Sequence, residues 1–347
     1  MNRWILLLLL LVVAIITLTF WFPSPNQIND SASVEMRAAI DIGSGATNLK
    51  VAKVDRDTNK IIAQIFEQSI AVPYQKHLEQ SENSQFDPIV MQQGMEALQN
   101  LKKVADSYHV KKIVAVATAA FRKASNVNEF VKQIQQQTGI EVRIIDQDEE
   151  GILAFRAALA LSPIQAEQAV VWDIGGGSMQ LTTLTENGLY LVEKGKTASI
   201  PFKNAIIEQI KGANLQEMHS PNPLDPTQMQ QALHLARNLA STTNPYIQAK
   251  IAHPQTHVLA VGSLFNFGIR PLVHNQTLVM QSELEQATNA LTNKTDAELP
   301  GKSALAEVGV SNPLLVLGYM QGLHINRVEI LNVNNADGAL TYPAYWE

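Results

Sequence analysis

Short continuous apolar runs alternate along this chain with longer stretches whose apolar positions recur every three or four residues. Ala38-Ala39-Ile40 and Ala169-Val170-Val171-Trp172 are runs of the kind expected of strands covered on both faces. Each ends in an acid and a glycine turn, Asp41-Ile42-Gly43-Ser44-Gly45 and Asp173-Ile174-Gly175-Gly176-Gly177-Ser178. Each turn leads into a second apolar run, Leu49 to Val54 and Leu181 to Leu184. The pattern predicts strands near 37–42, 47–54 and 60–69, then a helix over 88–107, where Met91, Met95, Leu98 and Leu101 share one face. Strand 112–117, helix 126–138, strand 141–145 and helix 148–161 follow. A second set opens with strands 168–173, 178–184 and 188–193, the last pair turning at Glu186-Asn187-Gly188. Helices near 199–210 and 227–249, strand 257–261, helices 281–293 and 312–323, and strand 327–333 complete it. The stretch 211–226, with Pro221, Pro223 and Pro226, reads as a surface loop. The two halves therefore repeat one plan, a meander entered through an Asp-x-Gly turn and then α/β units.

One segment stands outside this plan. Trp4 to Phe22 is apolar except for Thr17 and Thr19, close to the roughly 20 residues that a bilayer-spanning helix needs. It is longer than the core of a cleavable leader, and the aromatics Phe20-Trp21-Phe22 suit a membrane interface. Residues 1–22 are thus expected to be an uncleaved single-pass anchor in the inner membrane, and the Pro-, Asn- and Ser-rich stretch 23–36 a linker. Arg3 is the only basic side chain flanking the segment, which puts the body on the non-cytoplasmic side, a cytoplasmic body remaining the alternative. Domain I is expected over 37–162 and domain II over 163–347.

Net charge of −6 removes any global basic field for nucleic acid, so a polyanion has to be met by a local site. The eight histidines match no zinc spacing, and the absence of cysteine decides nothing about compartment.

The chemistry-bearing residues gather at the two turns. Glycines let backbone N–H groups approach phosphate oxygens, and an aspartate at a strand end can hold Mg²⁺, usually through water. Each residue also has a bland reading. Asp41 and Asp173 could be turn formers, and Glu149 and Glu150 open a helix, where acids favour the positive end of the macrodipole. Arg122 could be a solvated cation.

In order along the chain, Asp41-Ile-Gly-Ser, Val116-Ala-Thr118-Ala-Ala-Phe-Arg122, Ile144-Ile145-x-x-x-Glu149-Glu150, Val171-Trp-Asp173-Ile-Gly-Gly-Gly-Ser178 and Asn335-Ala-Asp-Gly-Ala-Leu340 form a set. That set resembles the exopolyphosphatase/guanosine pentaphosphate phosphohydrolase (Ppx/GppA) family in a short two-domain form, within the actin/Hsp70/sugar-kinase superfold. The resemblance implies duplicated ribonuclease-H-like α/β domains around an interdomain cleft. It implies a Mg²⁺-dependent phosphoanhydride hydrolase that releases terminal phosphate from inorganic polyphosphate or a guanosine pentaphosphate-like nucleotide. Glu150, with Glu149 as the runner-up, would activate water. Gly43, Ser44, Gly45, Arg122, Gly175, Gly176, Gly177 and Ser178 would grip phosphates, and Asp41, Asp173 and Gln180 would hold the ion.

Three positions depart from the family pattern. Gln180 stands where a glutamate is usual, Leu264-Phe265-Asn266 follows Gly262 where a glycine and a threonine are usual, and Thr341-Tyr342-Pro343 replaces Arg-Glu-Gly. The competing readings are a non-catalytic sensor of a phosphorylated ligand, consistent with Gln180, and an ATP-dependent kinase or ATPase of the same superfold. The latter would want a second glycine beside Gly262. A homodimer is left open.

Overall fold

The computed structural model describes residues 33–300 and 303–347. Its first half opens with three strands, β1 (Val34–Ile42), β2 (Ala46–Asp55) and β3 (Lys60–Ala71), and then α1 (Tyr74–Glu79) and α2 (Pro88–Ser107). β4 (Ile113–Ala117), α3 (Ala119–Lys123), α4 (Val127–Thr138), β5 (Val142–Ile144) and α5 (Gln147–Leu161) complete it. The second half runs β6 (Ala169–Ile174), β7 (Met179–Leu184), β8 (Tyr190–Lys194), α6 (Ser199–Ala205), α7 (Pro226–Ala240), α8 (Pro245–Ala252) and β9 (His257–Val261). β10 (Leu278–Met280), α9 (Gln281–Asn289), α10 (Ser311–Gly322), β11 (Arg327–Ile330) and α11 (Asn335–Thr341) close the chain.

Each half is built on its own sheet. The strand orders are β3-β2-β1-β4-β5 and β10-β11-β9-β6-β7-β8. Parallel pairs β1–β4 and β6–β9 occupy equivalent central places, and antiparallel meanders flank them on one side. The repeated plan read from the chain is therefore present in three dimensions as a duplicated actin-like α/β fold. Residues 35–347 form one compact unit.

The anchored fold class and inner-membrane localisation expected from residues 1–22 are corrected. No helix among the described residues is long and apolar enough to cross a membrane, and the segment itself lies outside them. The longest described helix, α2, has 20 residues, but Gln92, Gln93, Glu96, Gln99, Lys103 and Asp106 make it amphipathic. β1 begins at Val34, inside the stretch read as linker.

Several elements differ from the periodicity reading for local reasons. The single helix expected over 227–249 is two, because Pro245 at the start of α8 has no N–H to continue a helix and Asn244 caps it, its side chain accepting from Tyr246 N at 2.9 Å. The helix expected over 199–210 ends as a π turn at Ile206–Ile210. The short α1, α3 and α11 carry too few residues for a periodic signal.

α5 joins the two halves. Leu153 packs with Ala336, Ala339 and Leu340 of α11 and with Ala39, Val114 and Val116 of the first sheet. Ala154, Phe155, Ala157 and Ala158 pack on Val171, Leu259 and Val261 of the second. The approach is close on both sides. A Cβ at Gly151 would stand 2.6 Å from Thr182 Oγ1 and Val192 Cγ1, and one at Gly338 of α11 would stand 2.1 Å from the Leu153 carbonyl oxygen.

Gly338→Ala is expected to destabilise the protein by about 2 kcal/mol or more, since backbone rather than a flexible side chain blocks the added methyl. Urea denaturation measures this; an unchanged midpoint would mean that α11 separates from α5 at no cost.

Candidate active site

The first glycine turn is closed by Gly43 N donating to Ala46 O at 2.9 Å, the second by Gly175 N donating to Ser178 O at 3.0 Å. The two turns touch. A Cβ at Gly177 would lie 2.8 Å from Gln75 Oε1, 3.0 Å from Ser44 Oγ and 3.1 Å from Ala119 Cβ, so glycine is needed here for proximity. Gly45 has open space around it and no such requirement. Beside the turns, Asp41 and Asp173 stand one residue before the ends of β1 and β6, both buried. Register sets Asp173 opposite Gln180 on β7 and Val261 on β9. The next residue, Gly262, has φ +95°, and a Cβ there would stand 2.3 Å from Asp173 Oδ1. That requirement is absent from the residue roles read off the sequence.

Glu150 enters this site from the first turn of α5. The helix is capped by Asp146, whose side chain accepts from Glu149 N at 2.8 Å. The helical step then sends adjacent glutamates different ways. Glu149 accepts a hydrogen bond from the Tyr345 hydroxyl at 2.6 Å, so the structure does not bring it to the cluster. Glu150, 4% exposed, is held by three donors. Ser178 Oγ donates to Oε1 at 2.8 Å, while Arg122 Nη2 and Gln180 Nε2 donate to Oε2 at 2.7 and 3.2 Å. Arg122 also donates from Nη1 to the Ile145 carbonyl at 2.8 Å. Two of the five guanidinium N–H groups are thus committed, and three remain for a ligand.

Three carboxylates share this space. Burial pushes Asp41 up to about 7, with the Glu150 charge adding to the rise; the nearby amides of Asn48 and Asn335 favour its charged form. Burial, then the charges of Glu150 and Asp41, hold Asp173 well above the usual carboxylate range. Burial also raises Glu150, against the opposing pull of Arg122, Ser178 and Gln180. Asn48 and Asn335 have no role in the sequence reading. Asn335 opens the terminal motif at α11, and nothing in the sequence marks Asn48.

A divalent cation fits this donor set. Asp41 Oδ1 and Gln180 Oε1 are buried and have no hydrogen-bond partner, and a cation would relieve the repulsion among the three acids. Asp41, Asp173 and Gln180 are the residues that would hold it. Among the described residues no three His, Cys, Asp or Glu side chains form a group that could hold a metal. An ion would therefore complete its shell from water or ligand oxygens, as Mg²⁺ does. Lys50 and Asp337, with Lys50 Nζ 3.6 Å from Asp337 Oδ2, lie behind Asp41 as a second buried charged pair.

The raised Asp41 makes stability pH-dependent in a defined sense. The folded protein binds a proton that the unfolded chain releases near 3.8, so cation-free stability falls as pH rises from about 4 through about 7. At 1.36 kcal/mol per unit the loss is on the order of 4 kcal/mol at most. Melting temperature across that range, in chelator, should fall for the native chain and less steeply for Asp41→Asn, in which Asp173 and Glu150 still take up protons on folding. Added Mg²⁺ should raise it more at pH 8 than at pH 5. A flat profile in the native chain would overturn the assignment.

Comparison with known proteins agrees with this architecture. A bifunctional 3-dehydroquinate synthase/phosphatase of Fusobacterium nucleatum is 26% identical over 159 residues, 44% of this chain and 24% of that protein. The chain thus spans about a quarter of that relative's length. The Aquifex aeolicus PPX-GPPA enzyme superposes with a TM-score of 0.69 at 16% identity, covering 89% of this chain and 99% of the other. An exopolyphosphatase from Cytophaga hutchinsonii gives 0.69 at 16% identity, covering 88% and 96%. At these identities the structural likeness is one of fold. The family profile adds sequence evidence across the segment that holds both glycine turns, Arg122 and Glu150: residues 39–201 of this chain match the model of the Ppx/GppA phosphatase family.

Proposed function

We propose that the protein is a Mg²⁺-dependent phosphoanhydride hydrolase that releases terminal phosphate from inorganic polyphosphate or a guanosine pentaphosphate-like nucleotide. The observation that carries this reading is the buried Glu150 carboxylate, fixed by Arg122, Ser178 and Gln180 between two touching glycine turns. Phosphoryl transfer asks little covalent help of a protein. It asks for a positioned water and for charge and donors on the non-bridging oxygens.

In this reading Glu150 orients the attacking water and takes its proton. Its raised affinity for protons, set by burial, makes it a stronger base than an exposed carboxylate. The uncommitted donors of Arg122 and the N–H groups of residues 44–45 and 176–178 bind the terminal phosphoryl oxygens, Gly43 and Gly175 shaping the turns. A bound Mg²⁺ would supply charge neutralisation on the phosphates. Asp41, Asp173 and Gln180 would hold it. The kinase reading has less support. Phe265, after Gly262, is fully buried and packs edge-on against Trp172 with ring centroids 5.1 Å apart. Asn266 Nδ2 donates to the carbonyls of Gly262 and Leu331, both at 3.2 Å, where a second glycine would be expected of a kinase.

Phosphate release from polyphosphate, pppGpp and ATP, with and without Mg²⁺, tests the reading. Glu150→Gln should lower kcat by about 10²–10⁴-fold with the fold retained, and a full rate in that variant would sink the role of Glu150. Arg122→Lys should raise KM and lower stability, because one ammonium does not reproduce the planar fork that reaches both the Ile145 carbonyl and Glu150. Kinetics equal to the native chain would reduce Arg122 to a surface charge.

A further inference from the structure

The first turn of α5 is held from two sides. Glu150 meets Arg122, Ser178 and Gln180. Glu149, one helical step of about 100° away, accepts from the Tyr345 hydroxyl at 2.6 Å. Tyr345 belongs to a tight turn that Pro343 opens. In it Tyr345 N donates to the Tyr342 carbonyl at 3.1 Å and Trp346 N to the Pro343 carbonyl at 2.8 Å. The turn follows directly from Thr341-Tyr342-Pro343, the stretch that departs from the family pattern and has no part in the chemistry described above.

Cations of the first half fasten this turn. Arg37 Nη1 donates to the Leu340 carbonyl at 2.9 Å, and Arg156 and Lys112 donate to the carbonyls of Thr341 and Tyr345. Guanidinium groups also lie over the rings, Arg37 at 4.6 Å from the Trp346 centroid, Arg143 at 4.9 Å from that of Tyr345 and Arg156 at 5.6 Å from that of Tyr342. Tyr342 and Tyr345 meet edge to face with centroids 5.0 Å apart. Tyr345 is 2% exposed, so its hydroxyl has one place rather than many. Burial, and then the Glu149 bond and charge, push its proton affinity up, which keeps it a neutral donor.

We propose that Tyr345 is a positioning residue for Glu150, acting through Glu149: it fixes the rotation of α5 and so the place of the carboxylate that orients water. The side-chain surface of a helix lies roughly 5–6 Å from its axis, so ten degrees of rotation moves a first-turn carboxylate by about 1 Å. A displacement of that size in a catalytic group costs up to about 10²-fold in rate. The bonds on the Glu150 side change during the reaction, because taking up a proton weakens the charge-assisted bond to Arg122. The Glu149–Tyr345 bond takes no part in the chemistry and persists through it. The inference rests on the reading of Glu150 as the base and deepens it by naming what holds that base in register.

Phosphate release by the full chain, together with amide hydrogen exchange over the start of α5, tests this. Tyr345→Phe removes the hydroxyl and keeps the ring. It should lower kcat by about tenfold with KM changed less than about twofold, and speed exchange in the first turn of α5 by about threefold or more. Tyr342→Phe, in the same ring cluster, should change neither. Glu149→Ala should match Tyr345→Phe, and the double variant should fall no further. Glu149→Gln keeps an acceptor oxygen for the hydroxyl and should recover most of the rate lost in Glu149→Ala. A role in stability alone would lower the melting temperature without that rescue. Native kcat in Tyr345→Phe, an equal fall in Tyr342→Phe, or additive losses in the double variant would overturn the positioning role and leave the hydrolase reading standing. If the native chain releases no phosphate from any substrate, the hydrolase reading fails instead and exchange decides. Faster exchange in Tyr345→Phe and Glu149→Ala but not in Tyr342→Phe supports the role of Tyr345 in placing α5, and unchanged exchange overturns it.

Discussion

Glu150 carries a carboxylate to a place that water barely reaches, and an ionised acid there has to be compensated or it will take up a proton. The surrounding architecture supplies that compensation from three separate elements: a guanidinium from α3, a hydroxyl from the second glycine turn and an amide from β7. None of these could reach Glu150 unless α5 lay against both sheets. The close contacts at Gly151 and Gly338 hold it there. Removing one partner of a buried charge is costly, on the order of 3–5 kcal/mol, so the two halves are coupled through the same residue that the chemistry would use.

That coupling has an electrostatic side. Burial raises the proton affinity of Asp41, Asp173 and Glu150, the Glu150 charge adds to the rise of both aspartates and Asp41 to that of Asp173, in a space with one nearby guanidinium. A site of this kind is unfavourable without a cation and favourable with one, and orphaned oxygens on Asp41 and Gln180 agree with that balance. Gln180 is informative here. A glutamate at this position would set a fourth acid against Glu150, whereas the amide donates a hydrogen bond to it and turns its own oxygen elsewhere. The amide that stands in place of the family's usual glutamate thus also keeps Glu150 fixed.

The carboxy-terminal helix contributes more than its length suggests. α11 brings Asn335 to Asp41, Asp337 to Lys50 and Gly338 to α5. The aromatic residues after it close the outer side of the same joint. Tyr345 bonds Glu149, and the Arg37 guanidinium lies 4.6 Å from the centroid of Trp346. The unusual Thr341-Tyr342-Pro343 sequence thus leads into a segment that fixes the base of α5 from behind.

The sequence by itself determined the repeated plan and the residues that end its central strands. Those features are local: continuous apolar runs, an acid at a strand end and a glycine turn are visible within a few neighbours. Arg122 and the glutamate pair were singled out by the family resemblance, not by the local pattern, which reads them as a solvated cation and helix-opening acids. The local pattern offered a spanning helix that no described residue supplies, and it merged α7 and α8 across Pro245. The resemblance put Glu150 before Glu149, and tertiary structure supplies the geometry: one helical step separates Glu149, bound to Tyr345, from Glu150, bound to Arg122, Ser178 and Gln180. Tertiary structure also decided that Gly262 must be glycine because of Asp173, that Asn48 and Asn335 flank Asp41, and that Phe265 fills the core. Each of these depends on which surfaces meet when two sheets close on one helix. That choice is made by contacts between residues far apart in the chain, and it leaves no periodic mark within it.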